Sequence, residues 1–129
     1  MKNNKKVKTF KDIIAWQKAH HVVLRGYKAT ESFPDTEKFG LVTQMRRAAV
    51  SIACNIVEGF ARKKVKEGIQ FYNISNASLE ELKYQILICR DIELINNDEY
   101  NSLISSCDES GKTLHGWVSS QYENCGLSR

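Results

Sequence analysis

The residue types that bind metals, move protons or act as nucleophiles are few in this sequence, and their spacing disperses them. His20 and His21 are adjacent, so on a helix they point to different sides, and His115 stands apart. None falls in the Glu-x-x-His spacing with which helical bundles build di-metal sites. No H-E-x-x-H zinc spacing, G-x-S-x-G nucleophile turn or phosphate-cradling glycine loop occurs either. Glu80-Glu81 and Asp108-Glu109 are sequence neighbours, which splays their carboxylates instead of pairing them. Cys54, Cys89, Cys107 and Cys125 contain no C-x-x-C pair, whereas a zinc site brings two ligands within a few residues. They fall largely on apolar stripes, as core thiols do. These patterns point away from an enzyme and away from any metal or cofactor.

The chemistry that remains is charge. Residues 1–12 hold Lys2, Lys5, Lys6, Lys8 and Lys11 against Asp12 alone, and residues 62–67 hold Arg62, Lys63, Lys64 and Lys66 against Glu67. Such clusters are what a phosphate-binding surface needs, because each neutralised phosphate releases condensed counterions. Lys5, Lys6, Lys8, Lys11, Arg62, Lys63, Lys64 and Lys66 are therefore the candidate nucleic-acid contacts. The plainer reading is a solubilising arm plus the ordinary preference of cations for helix C-termini. That preference does not cover the lysines that precede or begin the first helix. The net charge of +4 permits an anionic partner without demanding one.

Whether the two clusters meet depends on the elements that carry them. A first helix is expected from about Phe10 to Thr30, capped by Thr9, with Ile13, Trp16, His20, Val23, Leu24 and Tyr27 on one stripe. Ser32-Phe33-Pro34-Asp35 breaks it, and Asp35 can cap a second helix reaching about Arg62. A third fits Lys66 to Leu94, with Phe71, Ser75, Ser78, Leu79, Leu82, Ile86 and Cys89 on one face. Asn96-Asn97-Asp98 ends it and caps a fourth, marked by Tyr100, Leu103, Ile104, Cys107, Gly111, Leu114, Val118 and Tyr122. No strand-like alternation competes. Long segments with short connections predict an all-α, up-and-down antiparallel four-helix bundle over residues 10–125, with a basic arm at 1–9 and a tail at 126–129. In that topology the lysine arm, the second connection and the C-terminus share a basic end. Glu31, Asp35, Glu37, Asp91, Glu93, Asp98 and Glu99 gather at the other.

The second helix is more apolar than one core requires. Leu41, Met45, Ala48, Ile52, Ile56 and Gly59 form one stripe, and Val42, Ala49, Ala53, Val57 and Phe60 a second beside it. A helix facing a single core needs a stripe of only about 100°. Either this helix sits centrally between two neighbours of its own chain, or its second stripe meets another subunit. Its remaining strip is polar: Gln44, Arg47, Ser51, Asn55, Glu58 and Arg62. Serine and asparagine are poor interior helix formers, so Ser51 and Asn55 predict either a hydrogen-bond network with Glu80 of the third helix or a solvated face.

The run Phe33-Pro34, Glu37-Lys38-Phe39-Gly40-Leu41, Gln44-Met45-Arg46-Arg47-Ala48-Ala49-Val50-Ser51-Ile52, Asn55-Ile56-Val57-Glu58-Gly59 and Arg62 resembles the signature of a bacterial family. These are the four-helix-bundle proteins encoded within intervening sequences of 23S ribosomal RNA genes. Phe10, Asp12, Trp16-Gln17-Lys18-Ala19 and Ser78-Leu79-Glu80-Glu81-Leu82 match the same pattern, so the resemblance spans roughly residues 10–95. It implies a ring-shaped homo-oligomer, a pentamer. It also implies kinship with the basic pentameric accessory proteins of diversity-generating retroelements, which engage a reverse transcriptase and nucleic acid. No settled activity comes with the family. Within its motif, Arg46, Arg47, Ser51, Asn55, Glu58 and Glu80 read either as a structural polar network or subunit interface, or, for the arginines, as phosphate contacts.

The expected function is a non-enzymatic oligomeric bundle that binds nucleic acid, RNA first, without sequence preference through its basic end. The alternative is a protein–protein adaptor for a nucleic-acid-processing partner. The first eight residues are polar and basic, and no stretch approaches the roughly 20 apolar residues that cross a bilayer. A cytoplasmic protein with reduced thiols and no membrane partner is expected.

Overall fold

The computed structural model describes residues 7–126, so Lys5 and Lys6 and the last residues of the tail lie outside the described residues. Four helices, α1 (Ile14–Thr30), α2 (Leu41–Ala61), α3 (Val65–Asp91) and α4 (Asn97–Asn124), form the bundle, and no strand occurs among the described residues.

Local chemistry sets the helix ends. Thr9 does act as a cap, but of a 3₁₀ turn, Phe10–Asp12, that precedes α1. Its hydroxyl accepts from the Lys11 N–H at 3.2 Å, and the Asp12 carboxylate accepts from the N–H groups of Lys8 and Thr9 at 2.9 and 3.0 Å. Extended backbone at Ile13 (ψ 118°) separates this turn from α1. Asp35 likewise opens a 3₁₀ turn, Asp35–Glu37, instead of capping α2, which starts only after the non-helical Gly40. Asn96 caps α4 as its sequence suggests: its side chain accepts from the Glu99 N–H at 2.8 Å, and Glu99 returns the bond to the Asn96 N–H at 3.1 Å.

α3 stops at Asp91, short of the predicted Leu94, because Glu93 adopts a left-handed φ of 66°. The Leu94 and Glu93 N–H groups then bond back to the carbonyls of Cys89 (2.8 Å) and Arg90 (3.0 Å). That pair of bonds is a Schellman closure, and Leu94 packs against the core as the apolar residue that accompanies it.

Cross-helix pairs fix the topology. Thr30 meets Arg46 and Gly26 meets Ala49 between α1 and α2; Ile52 meets Ser75 and Met45 meets Cys89 between α2 and α3. Tyr72 meets Trp117 and Lys83 meets Asp108 between α3 and α4, while Arg25 meets Ser102 and Lys18 meets Glu109 between α1 and α4. In every pair of helices one number rises as the other falls, so neighbours run antiparallel and the bundle closes as a square.

In this frame one sequence expectation changes and one open alternative narrows. Of the predicted stripe, Ile13 is buried and Trp16 and Val23 pack partly buried against the core, but His20, Leu24 and Tyr27 face out and the innermost face of α1 is a different one. It is built from Ala15, Ala19, Val22 and Gly26, with Thr30 at its end, and it presses small residues against Ala49 of α2. Leu24 is 56 % exposed and His20 lies outside, its imidazole stacked on Trp16 at 4.9 Å. The second apolar stripe of α2 is largely consumed within the chain: Val42, Ala49 and Ala53 are buried, and Val57 and Phe60 are half-covered. Helix α2 thus spends most of both stripes on its two neighbours in the chain, α1 and α3. The large apolar side chains left in solvent belong mainly to α1 (Ile14, Leu24, Tyr27) and to α3 (Ile74, Tyr84) and the loop after it (Ile92).

Candidate nucleic-acid interface

The basic end is assembled by packing. Val7 lies partly buried against the core, in the same cleft as Gly59, Phe60 and Arg62, which brings the segment that leads into α1 to the α2–α3 turn. Lys8 and Lys11 consequently share one end with Arg62, Lys63, Lys64 and Lys66, and all six are exposed. Arg62 is positioned most firmly: its guanidinium carbon stands 4.4 Å from the centre of the Phe71 ring. A flat cation over an aromatic face keeps its charge while losing side-chain freedom, a useful state for meeting phosphate.

At the other end Lys28, Asp98 and Glu99 line one open depression, and Arg90, Glu93 and Glu99 another. The helix starts and stops that gather acids there also carry Asp35, Glu37 and Asp91. Charge is thus separated along the bundle axis.

The polar strip of α2 divides into three parts. Ser51 and Asn55 do form a half-buried network, but its partner on α3 is Ser78, not Glu80. The Ser51 and Ser78 hydroxyls are 2.8 Å apart, and the Asn55 amide donates to the Ser51 carbonyl (2.8 Å) and hydroxyl (3.0 Å). Beside them the buried Ser75 hydroxyl donates to the Ile52 carbonyl at 2.6 Å. Glu80 instead faces α4, where Lys83 lies 3.6 Å from it and 3.0 Å from Asp108. The Asp108 hydrogen bond, with help from Glu80, raises the Lys83 pKa despite partial burial. Arg46 turns the opposite way, toward α1: it donates to the Thr30 hydroxyl (3.0 Å) and Tyr27 carbonyl (3.3 Å) and lies 4.5 Å from the Tyr27 ring centre. Arg47 and Glu58 are exposed, and no hydrogen bond or ion pair holds either among the described residues.

The thiols divide by burial. Cys89 and Cys107 are buried, and desolvation pushes their pKa values up to about 11 and about 12, so both stay protonated and inert. Cys89 donates to the Met45 sulfur at 3.4 Å. Cys54 is exposed on α2. Among the described residues no three His, Cys, Asp or Glu side chains are grouped as a metal would require, and no helix is long and apolar enough to cross a membrane.

Sequence reasoning missed three features. Arg25 clamps α4 through the Ser102 carbonyl and hydroxyl and the Ser106 hydroxyl, at 2.6–2.9 Å. Lys18 pairs with Glu109, which lowers that carboxyl's pKa. The third is a cleft at the basic end, between the close-packed Gly59 and Gly68 and the end of α4. A lone Arg25 on a helix flank and two distant glycines carry no local signal of their partners.

An antiparallel, up-and-down four-helix bundle with basic and acidic ends is the class that this architecture defines. Within it, the profile of the 23S rRNA-intervening sequence protein family matches residues 11–116, and the chain belongs to that family. It is similar in fold to a protein of unknown function from the S23 ribosomal protein family of Bacteroides thetaiotaomicron, solved at 1.70 Å. That likeness has a TM-score of 0.77 at 23 % identity and covers 84 % of this chain and 98 % of the other. Comparison with proteins of curated function gives no match.

Proposed function

We propose that this protein is a non-enzymatic, self-associating bundle that binds nucleic acid, RNA first, through its basic end and without sequence preference. The observation that carries the reading is the convergence of Lys8, Lys11, Arg62, Lys63, Lys64 and Lys66 on one end of the bundle, all exposed. No compensating carboxylate pairs with any of them in an ion pair among the described residues. Their charge is free to replace the counterions of a polyanion.

Self-association rests on α1 and α3, not on α2. Leu24 and Tyr27 on one helix and Ile74 and Tyr84 on the other leave apolar surface in water that a partner would cover. A pentameric ring, as the family resemblance implies, would gather five basic ends and multiply a weak site by avidity.

The test is anisotropy of a short labelled RNA over a salt series. The expected result is a logarithmic affinity falling linearly with the logarithm of salt, by about 0.7 per phosphate contacted on a single strand. The double substitution Lys63→Glu and Lys64→Glu should weaken binding at every salt and flatten the slope. Affinity indifferent to salt and to these substitutions would overturn the reading. The exposed apolar residues favour a second reading, an adaptor for a nucleic-acid-processing protein; salt-insensitive capture of one defined protein, lost on Leu24→Glu, would support it.

A further inference from the structure

The α2–α3 turn, the first turns of α3 and the last turns of α4 enclose a cleft of about 350 Å³ within the basic end. That is near the lower bound, about 300 Å³, of clefts that hold small ligands. Its back is backbone and ring. Gly59 and Gly68 place no side chain in it, and Tyr72 meets Trp117 edge to face with centroids 6.1 Å apart. The Trp117 indole N–H is buried and makes no well-aligned hydrogen bond within the protein. Burial raises the pKa of the neighbouring Tyr72 phenol, an effect that Trp117 opposes only in part. Gln121 and Asn124 line the α4 side with amides, and Arg62 stands on the cleft wall.

We infer that this cleft receives one unstacked base of a single-stranded nucleic acid, while Arg62 holds the adjoining phosphate. The inference rests on the nucleic-acid reading above and specifies its substrate class. A base is flat and apolar on its faces and carries donors and acceptors on its edge. The half-buried Trp117 ring, backed by the buried Tyr72, takes such a face whatever the base, and amides, which both donate and accept, suit any edge. A duplex hides its bases in the stack and offers this end only phosphates. The same basic end therefore grips both forms, but the cleft discriminates between them.

Tryptophan emission reads the cleft directly. In Trp16→Phe protein, Trp117 is the only indole left. This variant is titrated with a short single-stranded RNA and with the same sequence as a blunt duplex, and binding is followed in parallel by anisotropy. The single strand is expected to quench Trp117 and the duplex, when bound, to leave it unchanged. Asn124→Phe, at an exposed position, should fill the mouth. It is expected to weaken single-strand binding roughly tenfold, the scale of one lost base stack, and to leave duplex binding intact. Single-strand binding without quenching and without an effect of Asn124→Phe would overturn the cleft and leave the charged surface standing. Equal quenching by both forms would overturn the discrimination. Binding of neither form would remove the nucleic-acid reading itself.

Discussion

A methyl group placed on Gly68 would stand 2.7 Å from the carbonyl oxygen of Gly59, so α2 and α3 touch backbone to backbone as they leave their shared turn. On the other side a methyl on Gly59 would overlap the Tyr72 ring and lie 2.9 Å from the Gly68 carbonyl. Gly68→Ala gains up to about 1 kcal/mol of helix propensity. Forcing two backbones apart costs about 1–3 kcal/mol. The net expectation is destabilisation. Gly116, with nothing within 4 Å of its would-be methyl, gives the contrast: Gly116→Ala should stabilise by about 0.5–1 kcal/mol. Urea midpoints measure both, and a Gly68→Ala protein as stable as Gly116→Ala would refute the close approach.

The serine network gives a second expectation. Ser51→Ala and Ser78→Ala each remove one hydroxyl of a single bond, so a double-mutant cycle should return a coupling of about 0.5–1.5 kcal/mol. Glu58→Leu, on an exposed and unpaired side chain, should change the stability of the folded subunit by less than about 0.5 kcal/mol. A larger loss at Glu58 than at Ser78 would reverse this assignment.

Glu93 occupies the left-handed position that closes α3, where a β-carbon is unfavourable. Glu93→Gly should raise stability by about 1 kcal/mol, and Glu93→Ala should not. Thermal unfolding of the two variants side by side decides the point.

Alkaline pH should weaken the fold earlier than its secondary structure suggests. Cys89 and Cys107 ionise near 9.0 when unfolded but near 11 and 12 when folded, because burial disfavours the thiolate. Between those values the unfolded chain has released protons that the native state still holds, so stability falls as pH rises. Each thiol contributes a slope of at most about 1.4 kcal/mol per pH unit. The raised Tyr72 phenol adds to it above pH 10.0 in the same direction. Denaturation series at pH 8 to 10.5 on wild type and Cys107→Ala should show a shallower decline in the variant. Parallel declines would show that Cys107 ionises as easily folded as unfolded.

Much of this bundle was legible because helix signals are local. Asn96 and Glu99 announce the start of α4 three residues apart. Ser75, Ser78, Leu79, Leu82, Ile86 and Cys89 of α3 and Leu103, Cys107, Leu114 and Val118 of α4 are buried as their rows predict, while Phe71, Tyr100, Ile104 and Tyr122 are only partly covered. The His20, Leu24 and Tyr27 part of the α1 stripe was misread for a physical reason. The inward residues of α1, Ala15, Ala19 and Gly26, carry little hydrophobic weight, so the larger Trp16, Leu24 and Tyr27 beside them dominate the periodicity. Close packing selects small residues, and pattern reading rewards large ones. The basic end was foreseen from topology alone. Its cleft was not, since Gly59, Gly68, Trp117 and Asn124 converge only once three helices have docked. The partner of Ser51 was missed because several polar residues of α3 are equivalent in sequence, and only helix rotation selects Ser78 over Glu80.

The separation of charge along the bundle makes each subunit a short electric rod. Rods set side by side in the same sense repel, and in opposite senses attract. If the rods stand along the axis of a ring, rotational symmetry sets every one in the same sense, so closure works against the repulsion of gathered lysines. Salt shortens the reach of that repulsion, to about 8 Å at physiological strength. Assembly and polyanion capture would then respond to salt in opposite directions. A polyanion threaded across the gathered ends would take over the role of salt and hold the ring closed by neutralising it.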